Sequence, residues 1–162
     1  MKQVISVLVE NQSGTLNKIT GLFSRRGFNI DSLAVSVTEE ESISRITMIV
    51  DTGNNAVDQL EKQLNKLVCV LKLKRLDTGS YCGRELVLIK VATTQKTRRE
   101  ITDICDIMNG KISDISLNTI TVELSDSPDR IDLFLEMLKP YGIMEIARTG
   151  LIAVQKGMKT LE

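Results

Sequence analysis

Apolar residues arrive along this chain in short bursts whose spacing alternates between two periods. Val4–Val9 is a compact apolar run, the signature of a buried strand. After Asn11-Gln12-Ser13-Gly14, the residues Leu16, Ile19, Leu22 and Phe23 recur at helical spacing, and Arg25-Arg26-Gly27 supplies a basic last turn and a glycine stop. Phe28, Ile30, Val35 and Val37 predict a strand whose phase is disturbed around Asp31–Leu33. An acidic turn, Glu39-Glu40-Glu41, follows, and Ile46, Met48 and Val50 then alternate as the next strand. Val57, Leu60, Leu64 and Leu67 form a second helical stripe, and Cys69–Leu76 closes the unit. The predicted order is βαββαβ.

From Arg84 the same order returns. Leu86–Val91 predicts a strand, and Ile101, Ile104, Cys105 and Met108 line a helix stopped by Asn109-Gly110. Ile112–Leu117 and Thr119–Leu124 read as a hairpin turning near Asn118. Asp126-Ser127-Pro128-Asp129 is a helix start, with proline in the first turn and acids that complement the dipole. Ile131, Phe134, Leu135 and Leu138 mark the buried face of that helix, Pro140-Tyr141-Gly142 stops it, and Ile143–Val154 holds the last strand. Between the halves, Asp77–Gly83 reads as a linker. The expectation is an α+β chain of two ferredoxin-like units, residues 1–76 and 84–162. Each unit has a limited core and exposed sheet edges, so pairing between copies is the expected remedy and a homodimer the expected state.

The first loop is the place where binding chemistry gathers. Gly14 removes a side chain where the backbone enters the helix, which lets a ligand come close. The unpaired N–H groups of the first helical turn favour a carboxylate. The Asn11 amide both donates and accepts, and Asn29, at the start of the following strand, offers a second amide from the same chain or from a symmetry mate. Leu16, Ile30 and Val35 are branched apolar walls. Together these six residues suit a zwitterion with a small aliphatic side chain. The same letters are also ordinary turn chemistry, with Ser13 capping the helix and no ligand present.

Composition narrows the function classes. The chain has 162 residues, no histidine and no tryptophan, and 21 basic residues balance 21 acidic ones. Triads, metal sites and general bases that depend on histidine are therefore excluded. Zero net charge and an aromatic share of 3% argue against nucleic acid as a partner. The three cysteines, Cys69, Cys82 and Cys105, form no CxxC pair or zinc pattern and read as small apolar residues in a reducing compartment. No apolar run is long enough for a membrane span, and the amino terminus lacks a cleavage signal, so the expected location is cytoplasmic. No dinucleotide or P-loop glycine motif occurs. A ferredoxin-like phosphatase would need an arginine in the first loop to clamp phosphate, and none stands between Val9 and Leu16. No catalytic and no metal-binding residue is assigned.

Several segments carry a resemblance across nearly the whole chain. The Asn11-to-Leu16 loop, Ser24-Arg25-Arg26-Gly27-Phe28-Asn29-Ile30-Asp31-Ser32-Leu33 and Ser44-Arg45-Ile46-Thr47 resemble the small, regulatory subunit family of acetolactate synthase. So do Gln63–Val68, Arg84-Glu85-Leu86 and Arg148-Thr149-Gly150. The resemblance implies that the first unit is an ACT domain, an amino-acid sensor that pairs with a second copy into a continuous sheet. It also implies valine at that interface, held by Asn11, Gly14 and Leu16 of one chain and by Asn29, Ile30 and Val35 of the paired chain. The implied partner is a large catalytic subunit carrying thiamine diphosphate, flavin (FAD) and magnesium, with no cofactor in this chain. The second unit is implied to assist regulation and dimerisation. Arg25, Arg26 and Arg45 read either as solvated surface or as contacts to that large subunit. The alternative within the same class is a stand-alone sensor that regulates another biosynthetic enzyme.

Overall fold

The structure is a computed structural model and describes residues 2–51 and 56–161. The chain forms two compact units, one comprising Met1–Cys82 and Gly150–Glu162, the other Gly83–Thr149.

The first unit follows the βαββαβ order: β1 (Lys2–Glu10), α1 (Thr15–Arg26), β2 (Asn29–Val37), β3 (Ile43–Asp51), α2 (Ala56–Leu64) and β4 (Val70–Leu76). Its four strands lie in the order β2-β3-β1-β4 with antiparallel neighbours, which leaves β2 and β4 at the edges. Period-two alternation sends Ile5, Val7 and Val9 of β1, and Ile46, Met48 and Val50 of β3, to one face. There they meet the helical stripe of Ile19, Leu22 and Phe23, with Leu60 and Leu64 of α2. The disturbed phase near Asp31 is a register shift between Ile30 and Ser32 against β3.

The second unit repeats the plan with β5 (Tyr81–Ala92), α3 (Thr97–Ile107), β6 (Lys111–Ile115), β7 (Thr119–Asp126), α4 (Pro128–Leu138) and β8 (Ile143–Arg148). Its strand order, β6-β7-β5-β8, is topologically the same. Val87, Ile89 and Val91 of β5 centre a core with Ile101, Cys105, Ile131 and Phe134. The start of α4 is as the letters predict: Ser127 precedes Pro128, and its N–H donates to Asp126 Oδ1 (2.7 Å). Burial pushes the Asp126 carboxyl up, but that N–H and the Arg130 guanidinium outweigh it and hold the group below the usual carboxylate range.

Three expectations change. The final strand is not continuous over Ile143–Val154. It breaks after Arg148, Gly150 turns with φ of 81°, and a separate strand β9 runs over Ile152–Gln155. Gly150 onward consequently belongs with the first unit rather than with residues 84–149. Leu151 and Ala153 pack with Leu76, Val4 and Ile49 on the face of the first sheet that its helices leave uncovered, and with Tyr81 at the start of β5, the strand that β9 pairs with. The expected linker is also shorter, because Tyr81–Gly83 already lie in β5. Finally, Cys69 precedes β4, and Cys82 is exposed while Cys69 and Cys105 are buried, so the small-apolar reading fits only two of the three thiols.

Candidate functional site

The turn from β1 into α1 is built on glycine. Gly14 occupies the N-cap position with φ of 84°, in the left-handed region, and no side chain caps the helix. Ser13 is therefore not the cap. Space around Gly14 is open, since an added Cβ would meet nothing within 4 Å. Thr15 N–H reaches back to Gln12 C=O (3.2 Å) and Lys18 N–H begins the helical pattern onto Gly14 C=O (3.0 Å). The N–H groups of Leu16 and Asn17 have no backbone acceptor among the described residues. The first turn carries no acidic side chain either, so its positive end is left uncompensated. Leu16 is partly exposed beside it.

Asn11 opens this loop from the end of β1. Its N–H donates to Ser42 C=O and its Nδ2–H to Glu41 C=O, both at 2.7 Å. The acidic 39–41 turn, with Ser42 after it, is thus the strut that orients the Asn11 amide. With Nδ2 engaged, Oδ1 is the atom left without a partner among the described residues. Nothing in the letters of Glu41 and Ser42 marks this role, because only their backbone carbonyls take part.

Asn29 stands elsewhere. Its Nδ2–H donates to Asp31 Oδ1 (2.6 Å), and Asp31 in turn pairs with Lys2 Nζ (3.1 Å). Asn29 faces Asp51 across β2–β3, and Asp51 also faces Lys2, whereas Val37 faces Ser44 and Glu10 faces Ile43 at the other end. Eight residue steps along β2 are about 27 Å. One chain alone therefore keeps Asn11 and Asn29 at opposite ends of the sheet. Ile30 stays with Asn29, partly buried against the core. Val35 lies near the Asn11 end of its own strand, 45% exposed, with Val37 beyond it at 55%. The register thus groups Val35 with Asn11, Gly14 and Leu16 of the same chain rather than with Asn29. Val37, expected only as a strand residue and not as part of the site, shares that end.

Among the described residues no group of three or more His, Cys, Asp or Glu side chains is placed to hold a metal, and no helix is long and apolar enough to cross a membrane. The arrangement offers hydrogen-bond donors, an amide oxygen and apolar walls, which suits binding.

Residues 5–72 match the family model described as the AHAS small subunit-like ACT domain, and residues 84–157 match the one described as the small subunit of acetolactate synthase. The chain is 46% identical over 158 residues to the acetolactate synthase small subunit of Bacillus subtilis, covering 97% of this chain and 92% of that one. It is 42% identical over 159 residues to the probable acetolactate synthase small subunit of Archaeoglobus fulgidus, with coverage of 98% and 99%. Among solved structures, the acetolactate synthase small subunit from Thermotoga maritima superposes with a TM-score of 0.89 at 34% identity, covering 97% of this chain and 98% of that one.

Proposed function

The chain belongs to the acetolactate synthase small-subunit family, and from that premise we propose that it is the non-catalytic regulatory subunit that binds the large catalytic subunit and carries valine inhibition to it. Membership by itself makes it one subunit of a synthase whose catalytic partner is a large subunit. The stand-alone sensor reading is not favoured, because full-length relatives named as small subunits span both units. The chemistry of thiamine diphosphate, FAD and magnesium belongs to the partner in this reading.

Valine is proposed to sit at a seam between two copies. The observation that carries this is the separation of the two amides along β2, an edge strand with exposed apolar side chains. Antiparallel pairing of two β2 edges about a two-fold axis would bring the partner's Asn29 and Ile30 toward the Val35–Val37 end of the first chain. The free N–H groups at the Gly14 tip then face the carboxylate of valine, Asn11 Oδ1 accepts from its ammonium, and Leu16, Val35 and the partner's Ile30 enclose its isopropyl group.

Regulation then follows by linkage. The dimer supports an active arrangement of the large subunit, and valine stabilises a second arrangement of the seam that supports it less. Such coupling is typically about 1–3 kcal/mol, and it requires different affinities of valine for the two arrangements. The test is reconstitution with the large subunit and assay of synthase activity against valine concentration. Asn11→Ala is expected to raise the half-inhibiting valine concentration about tenfold, the loss of one hydrogen bond to a charged group, with association intact. An unchanged inhibition curve in that variant would remove the pocket from this end of the sheet.

A further inference from the structure

A different constellation lies on the face of the first sheet that its helices do not cover. Because Ile5, Val7 and Val9 face the helix-side core, Ser6 points the other way, with Lys74 of β4 and Thr47 of β3 as its cross-strand neighbours. Arg45, two residues from Thr47, shares this face. The segment from Gly150 onward lies over it, fixed by Leu151 and Ala153 against Leu76 and by the Leu151 N–H donating to Ser32 Oγ (3.0 Å). A cavity of about 250 Å³ remains, lined by Ser6, Arg45 and Lys74 of the sheet and by Gln155 and Lys159 of the segment.

Two independent features point to a ligand there. The first is charge: among the described residues Arg45, Lys74 and Lys159 line the cavity, no carboxylate does, and none of the three cations makes an ion pair. Like charges gathered in one hollow repel unless an anion joins them. The second is unmet hydrogen bonding. Ser6 is 2% exposed and its Oγ has no partner among the described residues, and Gln155 Oε1 is buried without one among them as well. Buried polar atoms in native folds are almost always paired, so two orphans lining one cationic hollow call for an occupant.

We propose that this cavity binds a phosphate group, as free phosphate or as the phosphoryl end of a small monoester. A single carboxylate would balance one of the three cations. A phosphate carries close to two charges near neutral pH and offers three or more acceptor oxygens. Arg45 supplies a forked donor, Lys74 and Lys159 supply point charges, and Ser6 Oγ–H donates from the floor. The P–OH of a monohydrogen phosphate would meet Gln155 Oε1. Because its ligands come from both the sheet and the carboxyl-terminal segment, the anion would tie that segment down.

The test uses the full chain, titrated by calorimetry with sodium phosphate, glycerol 3-phosphate and sodium acetate at constant ionic strength. Saturable uptake of phosphate or of glycerol 3-phosphate, without acetate, is the expected result, and the tighter of the two separates a free ion from a monoester. The bound anion should also slow tryptic cleavage after Lys156 and Lys159. Combined Arg45→Gln and Lys74→Gln should weaken binding about tenfold or more. Ser6→Ala, which removes only an unpaired hydroxyl and leaves the fold intact, should weaken it by roughly threefold. No saturable uptake, equal uptake of acetate, or unchanged affinity in both variants would overturn the assignment.

Discussion

Gly14 and Gly110 show how one residue type serves two physical ends. Gly14 stands at φ of 84° in open space, so its requirement is backbone conformation alone. At Gly110 a Cβ would lie 2.9 Å from both Cys105 Sγ and the Glu123 carbonyl, so the requirement is room. Gly14→Ala should lower unfolding free energy by about 1 kcal/mol, and Gly110→Ala by about 2–3 kcal/mol because a backbone carbonyl cannot swing aside. Urea melts of both variants measure the two losses, and the reverse order would mean that the wall around Gly110 gives way. In the sequence both glycines are punctuation, and nothing local separates strain from crowding, because the crowding at Gly110 comes from Glu123, thirteen residues further on.

At the level of elements, the second unit is fastened by a polar clamp at the end of its edge strand. Arg148 on β8 makes paired hydrogen bonds to Glu85 on β5, at 2.7 and 2.8 Å, and a third to Asp132 on α4 at 2.9 Å. Those carboxylates raise the Arg148 pKa further, with the hydrogen bond to Glu85 as the leading cause and burial opposing it. Glu85 is 6% exposed, so removing its partner strands a buried charge. Arg148→Ala is expected to cost about 3 kcal/mol, and Arg148→Lys should recover little, because an ammonium cannot match the two-pronged geometry. Thermal melts of the two variants provide the comparison, and full recovery by lysine would show that charge alone matters. Arg84-Glu85-Leu86 and Arg148-Thr149-Gly150 had appeared as separate letters of the resemblance. The fold joins them, since Thr149 Oγ1 also accepts from Leu86 N–H at 3.0 Å.

Across the whole molecule, the telling feature is the return of the carboxyl-terminal segment to the first unit. Val4, Ile49 and Leu76 need a cover that the first βαββαβ order does not contain, and Leu151 and Ala153 provide it. Truncation after Thr149 should destabilise the first unit by on the order of 3–5 kcal/mol, the burial lost with Leu151, Ala153 and Leu161. Greater binding of a hydrophobic dye and a lower melting temperature are the expected readouts. A truncated chain as stable as the intact one would show that this cover is dispensable.

The βαββαβ order in each half, the buried faces of the helices apart from the exposed Leu16 and from Leu67, which lies beyond the end of α2, the disturbed strand at Asp31 and the glycine-opened helix tip were all determined by the sequence. Each rests on spacing or turn chemistry within a few residues, and such short-range preferences act wherever the segment finally lies. The tertiary structure decided what distant segments do to one another. It set Asn11 and Asn29 at opposite ends of the sheet, braced Asn11 with the Glu41 carbonyl and moved the last residues to the first unit. It also gathered Arg45, Lys74 and Lys159 around Ser6. Those outcomes depend on strand register and on which apolar face remains uncovered, which are properties of the packed whole that no local pattern encodes.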